Sequence, residues 1–192
     1  FFVRDKERRE VEDFLKKRGI SSDDTLIVLN PGGNWPPKRW PKESFAEVAD
    51  RLSSELNAKV VITGAPSDMG LAHDIMALTK TRLVSAAGKT TLKSLGAVME
   101  RADLVISSDS GPMHLALGVK SKVIALFGPT SDTITGPYGR QKGFFVIKKD
   151  IDCAVPCYDF TCNDHRCMKA ITVNEVVEKA KEMLSNKDDE NR

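Results

Sequence analysis

Short, almost continuously apolar segments alternate along this chain with longer segments whose apolar residues recur at helical spacing. The apolar segments predict six β-strands, at residues 25–29, 59–63, 82–85, 104–107, 122–127 and 144–147. Strands without polar alternation are typical of a parallel sheet that helices cover on both faces. Because crossovers between parallel strands are right-handed, the pattern predicts an α/β fold with a doubly wound, Rossmann-like parallel sheet.

Two capping boxes mark helix starts in the segments between and after these strands. Ser44 with Glu47 predicts the first turn of the helix after the first strand. Thr172 with Glu175 predicts the first turn of the last helix. In each box the hydroxyl and the carboxylate satisfy backbone N–H groups that the helix leaves unpaired.

The 192 residues divide by composition into three parts, with one domain as their centre. Residues 1–24 are dense in both charge signs and carry a thin apolar stripe, which predicts an edge helix or a linker. Residues 25–185 form the predicted domain, which includes a cysteine-rich segment at 153–167. Residues 186–192 are a polar tail. The chain begins with Phe1 and no initiator Met, so we expect a piece of a longer protein.

Charge and motif content exclude several classes of function. The chain has 29 Lys and Arg against 27 Asp and Glu, a formal net charge of +2, so we expect no nucleic-acid partner. No apolar run approaches the roughly 18 residues that a bilayer span needs, and no leader pattern opens the chain. The sequence lacks the glycine-rich motifs of NAD dehydrogenases and P-loop NTPases.

The segment 107–114, Ser-Ser-Asp-Ser-Gly-Pro-Met-His, follows the fourth predicted strand and opens a helix. Ser110 suits the helix cap, and Gly111 allows a ligand to approach the backbone. Free N–H groups at a helix start bind anions such as phosphate, and Asp109 beside them would hold hydroxyl groups, as on a sugar. The alternative is a capping turn with no ligand. His114 either points at the anion or packs inside.

The loop at 31–41 follows the first strand at the same edge of the predicted sheet. We expect Lys38 to contact phosphate there, with Arg39 adding positive charge. The alternative is a proline-rich turn whose cations face water. Of Trp35 and Trp40, one is expected to anchor the loop and the other to line the site.

Two more loops end at this edge. In residues 64–68, Asp68 either binds ribose hydroxyls or begins a helix. The loop Gly128-Pro129-Thr130 follows the fifth strand. Each signal is weak alone, but their convergence on one edge favours a binding site.

Four cysteines lie between the last strand and the last helix: Cys153, Cys157, Cys162 and Cys167. They could hold zinc, with His165 as a fifth candidate ligand, although structural zinc sites usually show the tighter Cys-x-x-Cys spacing. Free thiols or disulfides formed after purification are the alternatives. Without a leader peptide we expect a reducing compartment, in which native disulfides are rare.

Taken in order, the motifs at 30–33, 38–41, 64–65, 109–114 and 126–130 resemble the nucleotide-binding half of the heptosyltransferases, glycosyltransferase family 9. The cysteine-rich end looks like that of many members. The resemblance implies a GT-B architecture, in which two Rossmann-like domains face each other across a cleft. This chain looks like the C-terminal domain, which holds the nucleotide-sugar.

The resemblance also implies a reaction, the inverting transfer of heptose from ADP-heptose to the lipopolysaccharide inner core, with no metal or other cofactor required. Lys38 and Asp109 are the implied catalytic pair: Lys38 meets the diphosphate, and Asp109 binds the sugar without serving as the general base. The implied donor-binding residues are Gly33, Asn34, Lys38, Asp68, Asp109, Ser110, Gly111, Pro112, Met113, His114 and Thr130.

The implied partners are the nucleotide-sugar donor and a lipid-linked saccharide acceptor, which binds through an N-terminal domain missing here. That domain supplies the general base in the family, so we expect this chain to bind donor without turnover. A cytoplasmic location at the inner face of the inner membrane is expected, with peripheral membrane contact. Pro66 stands where some members place a ribose-binding carboxylate, so the ribose contact of Asp68 stays open.

Two other interpretations remain open. One is a different GT-B sugar-nucleotide enzyme, a UDP-sugar transferase or a 2-epimerase. The other is a zinc-containing interaction module in which the sheet is only a scaffold.

Overall fold

A computed structural model describes residues 1–137 and 143–185, so the predicted polar tail lies outside the described residues. Six parallel strands form one sheet in the order β3-β2-β1-β4-β5-β6. The strands are β1 Leu26–Asn30, β2 Lys59–Ile62, β3 Val84–Ser85, β4 Leu104–Ser108, β5 Val123–Phe127 and β6 Phe144–Lys148. The doubly wound parallel sheet that the sequence predicts is therefore confirmed.

Helices cover both faces of the sheet. They are α1 Asp5–Lys16, α2 Lys42–Leu56, α3 Met69–Leu78, α4 Leu92–Arg101, α5 Gly111–Gly118, α6 Asp132–Thr135, α7 Arg166–Lys169 and α8 Val173–Ser185. Alternate residues of each strand bury against different layers: Ile27 and Leu29 pack with α2, α3 and α8, while Leu26 and Val28 pack with α1, α4 and α5. None of the helices in the described ranges is long and apolar enough to cross a membrane.

Helix α1 packs against α4 on one face of the sheet, in the segment for which the sequence predicts an edge helix or a linker. Val11 and Leu15 are buried in the same cluster as Val98 of α4. Arg8 Nε donates a hydrogen bond to Glu100 at 2.7 Å, which ties the exposed sides of the two helices together. The apolar stripe of α1 thus closes that face of the core.

The two predicted capping boxes have different outcomes. Thr172 and Glu175 form the box: the Glu175 carboxylate accepts from Thr172 N at 3.0 Å, and Thr172 Oγ1 accepts from Glu175 N at 3.3 Å. The Ser44 box is wrong. Helix α2 begins two residues earlier, after Pro41, whose carbonyl accepts from Ser44 N at 3.1 Å. Pro41 is the N-cap residue and has an extended ψ of 137°, so the helix starts at Lys42 and Ser44 already lies in its first turn.

Replacing Thr172 with alanine removes the capping hydroxyl of α8, and we expect a loss of about 1 kcal/mol in the free energy of unfolding. Urea denaturation at pH 7 measures this. Ser44→Ala is the matched control and should change the free energy by less than about 0.5 kcal/mol, because Ser44 caps nothing. An equal loss in both variants would contradict the assignment of the caps.

Lys149 also pairs with Glu175 and, with the hydrogen bonds from Thr172, lowers the pKa of that carboxyl to about 2. The folded-state pKa is below the unfolded value, so the stabilisation is present above the unfolded pKa and is lost as the pH falls through the folded one. The difference between wild type and Thr172→Ala should therefore shrink toward pH 2.

Candidate functional site

The carboxyl ends of the strands border a cleft of about 560 Å³. Loops after β1, β2, β3 and β4 all reach it, as expected for one edge of a parallel sheet. Its lining residues are Asn30, Gly32, Gly33, Asn34, Trp35, Lys38, Gly64, Ala65, Pro66, Asp68, Thr90, Thr91, Leu92, Leu95, Asp109, Ser110, Gly111 and Pro112. Most of the predicted donor-binding residues are therefore brought together.

An ion pair between Lys38 and Asp109 spans the cleft. Lys38 Nζ lies 2.8 Å from Asp109 Oδ2, with the carboxylate side chain 5% exposed and the lysine side chain 21% exposed. The 3₁₀ turn Pro36–Lys38 presents the lysine, whose ammonium lies 5.6 Å from the centre of the Trp35 ring. A mobile cation and a fixed carboxylate thus stand side by side, one suited to phosphate and the other to hydroxyl groups.

The start of α5 supplies the second anion-binding element. Ser110 is the N-cap residue, but its side chain makes no capping hydrogen bond, so that sequence-based expectation is wrong. Its Oγ instead lies 3.3 Å from Asn30 Nδ2, which also donates to Ser107. These side chains tie β1 to the start of α5. In the first helical turn, Pro112 has no N–H and the Met113 N–H donates to Ser110 O at 3.1 Å, so the Gly111 N–H is the donor left for an anion, with the positive end of the helix dipole behind it.

Arg39 braces two loops rather than offering its charge to the cleft. Its Nε and Nη2 donate to Gly33 O at 3.1 and 2.7 Å, and Nη2 lies 3.4 Å from Asp68 Oδ1. Asp68 Oδ2 accepts from Ala65 N at 2.9 Å, at the start of the turn that leads into α3. The helix-start interpretation of Asp68 is therefore what the structure shows, while a ribose contact stays a prediction.

Glycine is required where the same two loops approach each other. A Cβ placed on Gly32 would overlap the carboxylate of Asp68, and one on Gly64 would lie 2.8 Å from Asp68 Cβ. Side chains at either position would displace the carboxylate that holds the brace. Glycine at both positions thus allows the two loops to pack against each other. This role is separate from any approach of a ligand to the backbone.

Three predicted donor-binding residues are not among the described residues that line the cleft: Met113, His114 and Thr130. Met113 is fully buried in the core under α5, and Thr130 is buried with no hydrogen-bond partner for its Oγ1. His114 is exposed on the first turn of α5, so the alternative of a packed histidine is wrong. Their ligand contacts stay predictions.

One part of the cleft has no counterpart among the site residues predicted from the sequence. Thr90, Thr91, Leu92 and Leu95 line it, after β3 and along the first turn of α4. Leu92 is 65% exposed, which is unusual for leucine at a helix start. Because β3 is only two residues long, its loop gave a weak signal. The loop nevertheless follows a parallel strand, and the rule that ligands bind at such ends could have found it.

The two tryptophans divide as expected. Trp40 is buried, and its Nε1 donates to Ile171 O at 3.0 Å, which anchors the loop to the body. Trp35 lines the cleft and packs against Phe160 of the cysteine-rich segment, with ring centroids 4.9 Å apart. The cysteine-rich segment therefore borders the Trp35 side of the cleft.

The zinc site considered for the cysteine-rich segment does not form in the structure. Across the described ranges, no three His, Cys, Asp or Glu side chains are arranged to hold a metal ion. The four cysteines that were considered as zinc ligands are free thiols beside a cavity of about 50 Å³: Cys153, Cys157, Cys162 and Cys167.

The thiols differ in exposure around that cavity. Cys153 is exposed, whereas Cys157, Cys162 and Cys167 are half-buried. Burial raises the pKa of the Cys167 thiol, which favours its neutral form. Of the alternatives that the spacing left open, free thiols are what the structure shows.

A larger groove of about 1160 Å³ runs along β6 and α8. Its walls include Thr25, which precedes β1, and the last turns of α2 and α8, so it lies away from the carboxyl ends of β1 and β4. Several of its charged side chains are paired with one another, as in Lys181 with Glu55 and Lys179 with Glu182. We place the functional site in the smaller cleft, where helix start, lysine and carboxylate converge.

Comparison with known sequences gives a consistent result. The matching family is Glycosyltransferase family 9 (heptosyltransferase), over residues 2–163. The chain is 36% identical over 168 residues to lipooligosaccharide heptosyltransferase 2 of Campylobacter jejuni, covering 84% of this chain and 51% of the relative. It is 28% identical to lipopolysaccharide heptosyltransferase 2 of Salmonella typhimurium, covering 86% of this chain and 49% of the relative. The chain thus spans about half the length of these curated relatives.

Solved structures agree in fold. The glycosyl transferase family 9 structure from Veillonella parvula matches with a TM-score of 0.84 at 28% identity, over 97% of this chain and 53% of that one. The E. coli ADP-heptose LPS heptosyltransferase II matches with a TM-score of 0.80 at 26% identity, over the same shares. At 97% coverage of this chain, both matches extend over the strands and helices that form the cleft.

Replacing Gly111 with valine tests whether the start of α5 holds an anion. A Cβ there meets no atom within 4 Å, and the backbone is not left-handed, so we expect the free energy of unfolding to change by less than about 1 kcal/mol. The side chain would occupy the cleft, and affinity for a nucleoside diphosphate should fall at least about tenfold, or 1.4 kcal/mol.

Calorimetric titration with ADP measures the change. Gly70→Val on α3 is the matched control, because Gly70 also has open space around it and is not among the described residues that line the cleft. Unchanged ADP affinity in Gly111→Val would exclude the helix start as the binding element.

Proposed function

The chain belongs to glycosyltransferase family 9, the heptosyltransferases, and from that premise we propose that its cleft binds the nucleotide-sugar donor of a lipopolysaccharide heptosyltransferase. One observation carries the proposal: Lys38, Asp109 and the start of α5 converge in a single cleft at the carboxyl edge of the sheet. A diphosphate linked to a sugar is the ligand that uses both charges and the helix start together.

The diphosphate is the leaving group of the proposed transfer. When the bond from the sugar carbon to the phosphate oxygen breaks, negative charge grows on that oxygen. Lys38 and the Gly111 N–H at the start of α5 lie where they would stabilise this charge. Such stabilisation does not need a metal ion, so we propose a metal-independent reaction.

Asp109 is assigned to the sugar and not to proton transfer. Its Oδ2 already accepts hydrogen bonds from Lys38 and from Thr135, which fix the position of the carboxylate. A carboxylate fixed in this way can hold the hydroxyl groups of a sugar in place. In the proposed inverting reaction, the base that deprotonates the acceptor belongs to an N-terminal domain that faces this one in a GT-B arrangement. We therefore propose that this chain is the C-terminal, donor-binding domain and that it does not turn over alone.

The nucleotide base is assigned to the part of the cleft that follows β3 and borders the first turn of α4. Leu92 and Leu95 supply an apolar wall there, and Thr90 and Thr91 supply hydroxyl groups. An aromatic base flanked by polar edges suits such a lining. The E. coli relative of known structure is named for ADP-heptose, which supports adenine as the base and heptose as the sugar.

The acceptor is proposed from the relatives alone. Those from Campylobacter jejuni and Salmonella typhimurium are named as transferases of lipooligosaccharide and lipopolysaccharide. We propose the saccharide of a lipopolysaccharide inner core, reached at the cytoplasmic face of the inner membrane through peripheral contact.

Calorimetric titration of the 192-residue chain with ADP, ADP-heptose, UDP and NAD tests the proposal. We expect ADP to bind, ADP-heptose to bind more tightly, and UDP and NAD to bind at least about tenfold more weakly than ADP, a difference of about 1.4 kcal/mol. A preference for UDP would be compatible with the fold but would indicate a UDP-sugar enzyme instead of an ADP-heptose enzyme. No binding of any of the four would contradict donor binding by this chain.

Replacing Lys38 with alanine should remove one charge-assisted contact with the diphosphate. We expect ADP binding to weaken by about 1.5–3 kcal/mol, measured by the same titration. Lys42→Ala is the matched control: Lys42 forms an exposed pair with Asp74 at 2.7 Å and is not among the described residues that line the cleft. Equal ADP affinity in both variants would contradict the role of Lys38, and urea denaturation would confirm that each variant is folded.

A further inference from the structure

The carboxylate of Asp109 receives two hydrogen bonds on the same oxygen. Lys38 Nζ donates to Oδ2 at 2.8 Å, and Thr135 Oγ1 donates to it at 3.1 Å. Asp109 is 5% exposed, so these protein groups largely replace water around the charge. Thr135 is not among the described residues that line the cleft. Its contact with the site is through Asp109.

Thr135 is held in place through α6. It is the last residue of α6, and its N–H donates to Ser131 O at 2.9 Å. At the other end of α6, Lys148 on β6 pairs with Asp132 at 2.9 Å and lowers the pKa of that carboxyl. The position of the Thr135 hydroxyl is therefore set by α6 and by its tie to β6, independently of the ligand.

The Thr135 hydroxyl has a choice of acceptor. Its Oγ1 lies 3.1 Å from Asp109 Oδ2 and also 3.1 Å from Ser131 O. A hydroxyl has one proton to donate, so it can serve the carboxylate or the carbonyl oxygen. The carboxylate is the stronger acceptor, and the hydrogen bond that it accepts from Thr135 becomes stronger when another donor leaves it.

A diphosphate in the cleft would compete with Asp109 for the ammonium of Lys38. If the ammonium moves toward phosphate, Asp109 becomes a buried carboxylate with a weakened ion pair, which is costly unless another donor compensates. Thr135 is the described side chain besides Lys38 whose hydrogen bond to Asp109 the structure shows. Its hydroxyl can compensate without any movement of α6.

We propose that Thr135 is a positioning residue of the donor site, which stabilises Asp109 while Lys38 is shared with the diphosphate. This inference rests on the proposed function, because it needs a diphosphate as the ligand. Removing the hydroxyl would leave Asp109 dependent on Lys38 and hold the ammonium back from the phosphate. The nucleoside diphosphate would then bind more weakly even though Thr135 does not touch it.

Titration of the 192-residue chain with ADP tests this, using Thr135→Val and Thr135→Ser. Valine keeps the shape of the side chain and removes the hydroxyl, so we expect ADP affinity to fall about three- to tenfold. Serine keeps the hydroxyl and should restore affinity to within about twofold of wild type. The matched control is Thr133→Val on the same helix, since Thr133 is exposed and bonds only to Ser131 among the contacts shown.

Combination with Asp109→Asn separates positioning from a general loosening of α6. If Thr135 acts through the carboxylate, Thr135→Val should have little further effect on ADP affinity once Asp109 is asparagine. The proposal is overturned by any of three results: unchanged ADP affinity in Thr135→Val, an equal loss in Thr133→Val, or the same loss in the Asp109→Asn background.

Urea denaturation of the same four chains of the cycle distinguishes failure of this inference from failure of the proposed function. Coupling between Thr135 and Asp109 in the free energy of unfolding shows that the contact exists without any ligand. Coupling together with an absence of ADP binding by the wild type would refute donor binding and, with it, the positioning role. ADP binding without coupling would refute the positioning role alone.

Discussion

All six strands run in the same direction, and this constraint brings the functional residues together. Because the strands are parallel, every carboxyl end lies at one edge of the sheet, so loops that are distant in sequence become neighbours. The strand order reverses between β1 and β4, which is where such sheets open a crevice for ligands. Lys38 follows β1 and Asp109 follows β4, so the ion pair lies at this reversal. The buried strands therefore determine the location of the chemistry, and the loops determine its kind.

At the carboxyl edge of the sheet, the cations beside the cleft are paired with carboxylates rather than forming an excess of positive charge. Lys38 is paired with Asp109, and Arg39 is paired with Asp68. The first pair is presented on a flexible lysine stem and can be redistributed by a ligand, whereas the second is fixed by two further hydrogen bonds from Arg39 to Gly33 O. Adjacent cations thus have different tasks, since a planar guanidinium suits a rigid brace and an ammonium suits exchange between acceptors.

The sequence predicts the fold well because strands that are buried on both faces are almost continuously apolar. Strands β1, β4 and β5 are wholly buried, and apolar runs in the sequence mark them. It predicts the position of the site for the same reason. It does not predict which partner a side chain chooses. Ser110 bonds to Asn30, 80 residues away, instead of capping its own helix, and Thr135 bonds to Asp109 across a separation of 26 residues. Such choices depend on tertiary neighbours that local patterns do not encode.

The same contacts explain why the proposed reaction would need a base from outside the cleft. Of the described residues that line the cleft, Asp68 and Asp109 are the carboxylates, and each already accepts hydrogen bonds from within the chain. A general base needs an oxygen directed at the acceptor hydroxyl, and both carboxylates are engaged in shaping the site instead. In the proposed reaction the donor would therefore be held here, and the acceptor would be activated by a group that is not among these cleft-lining residues.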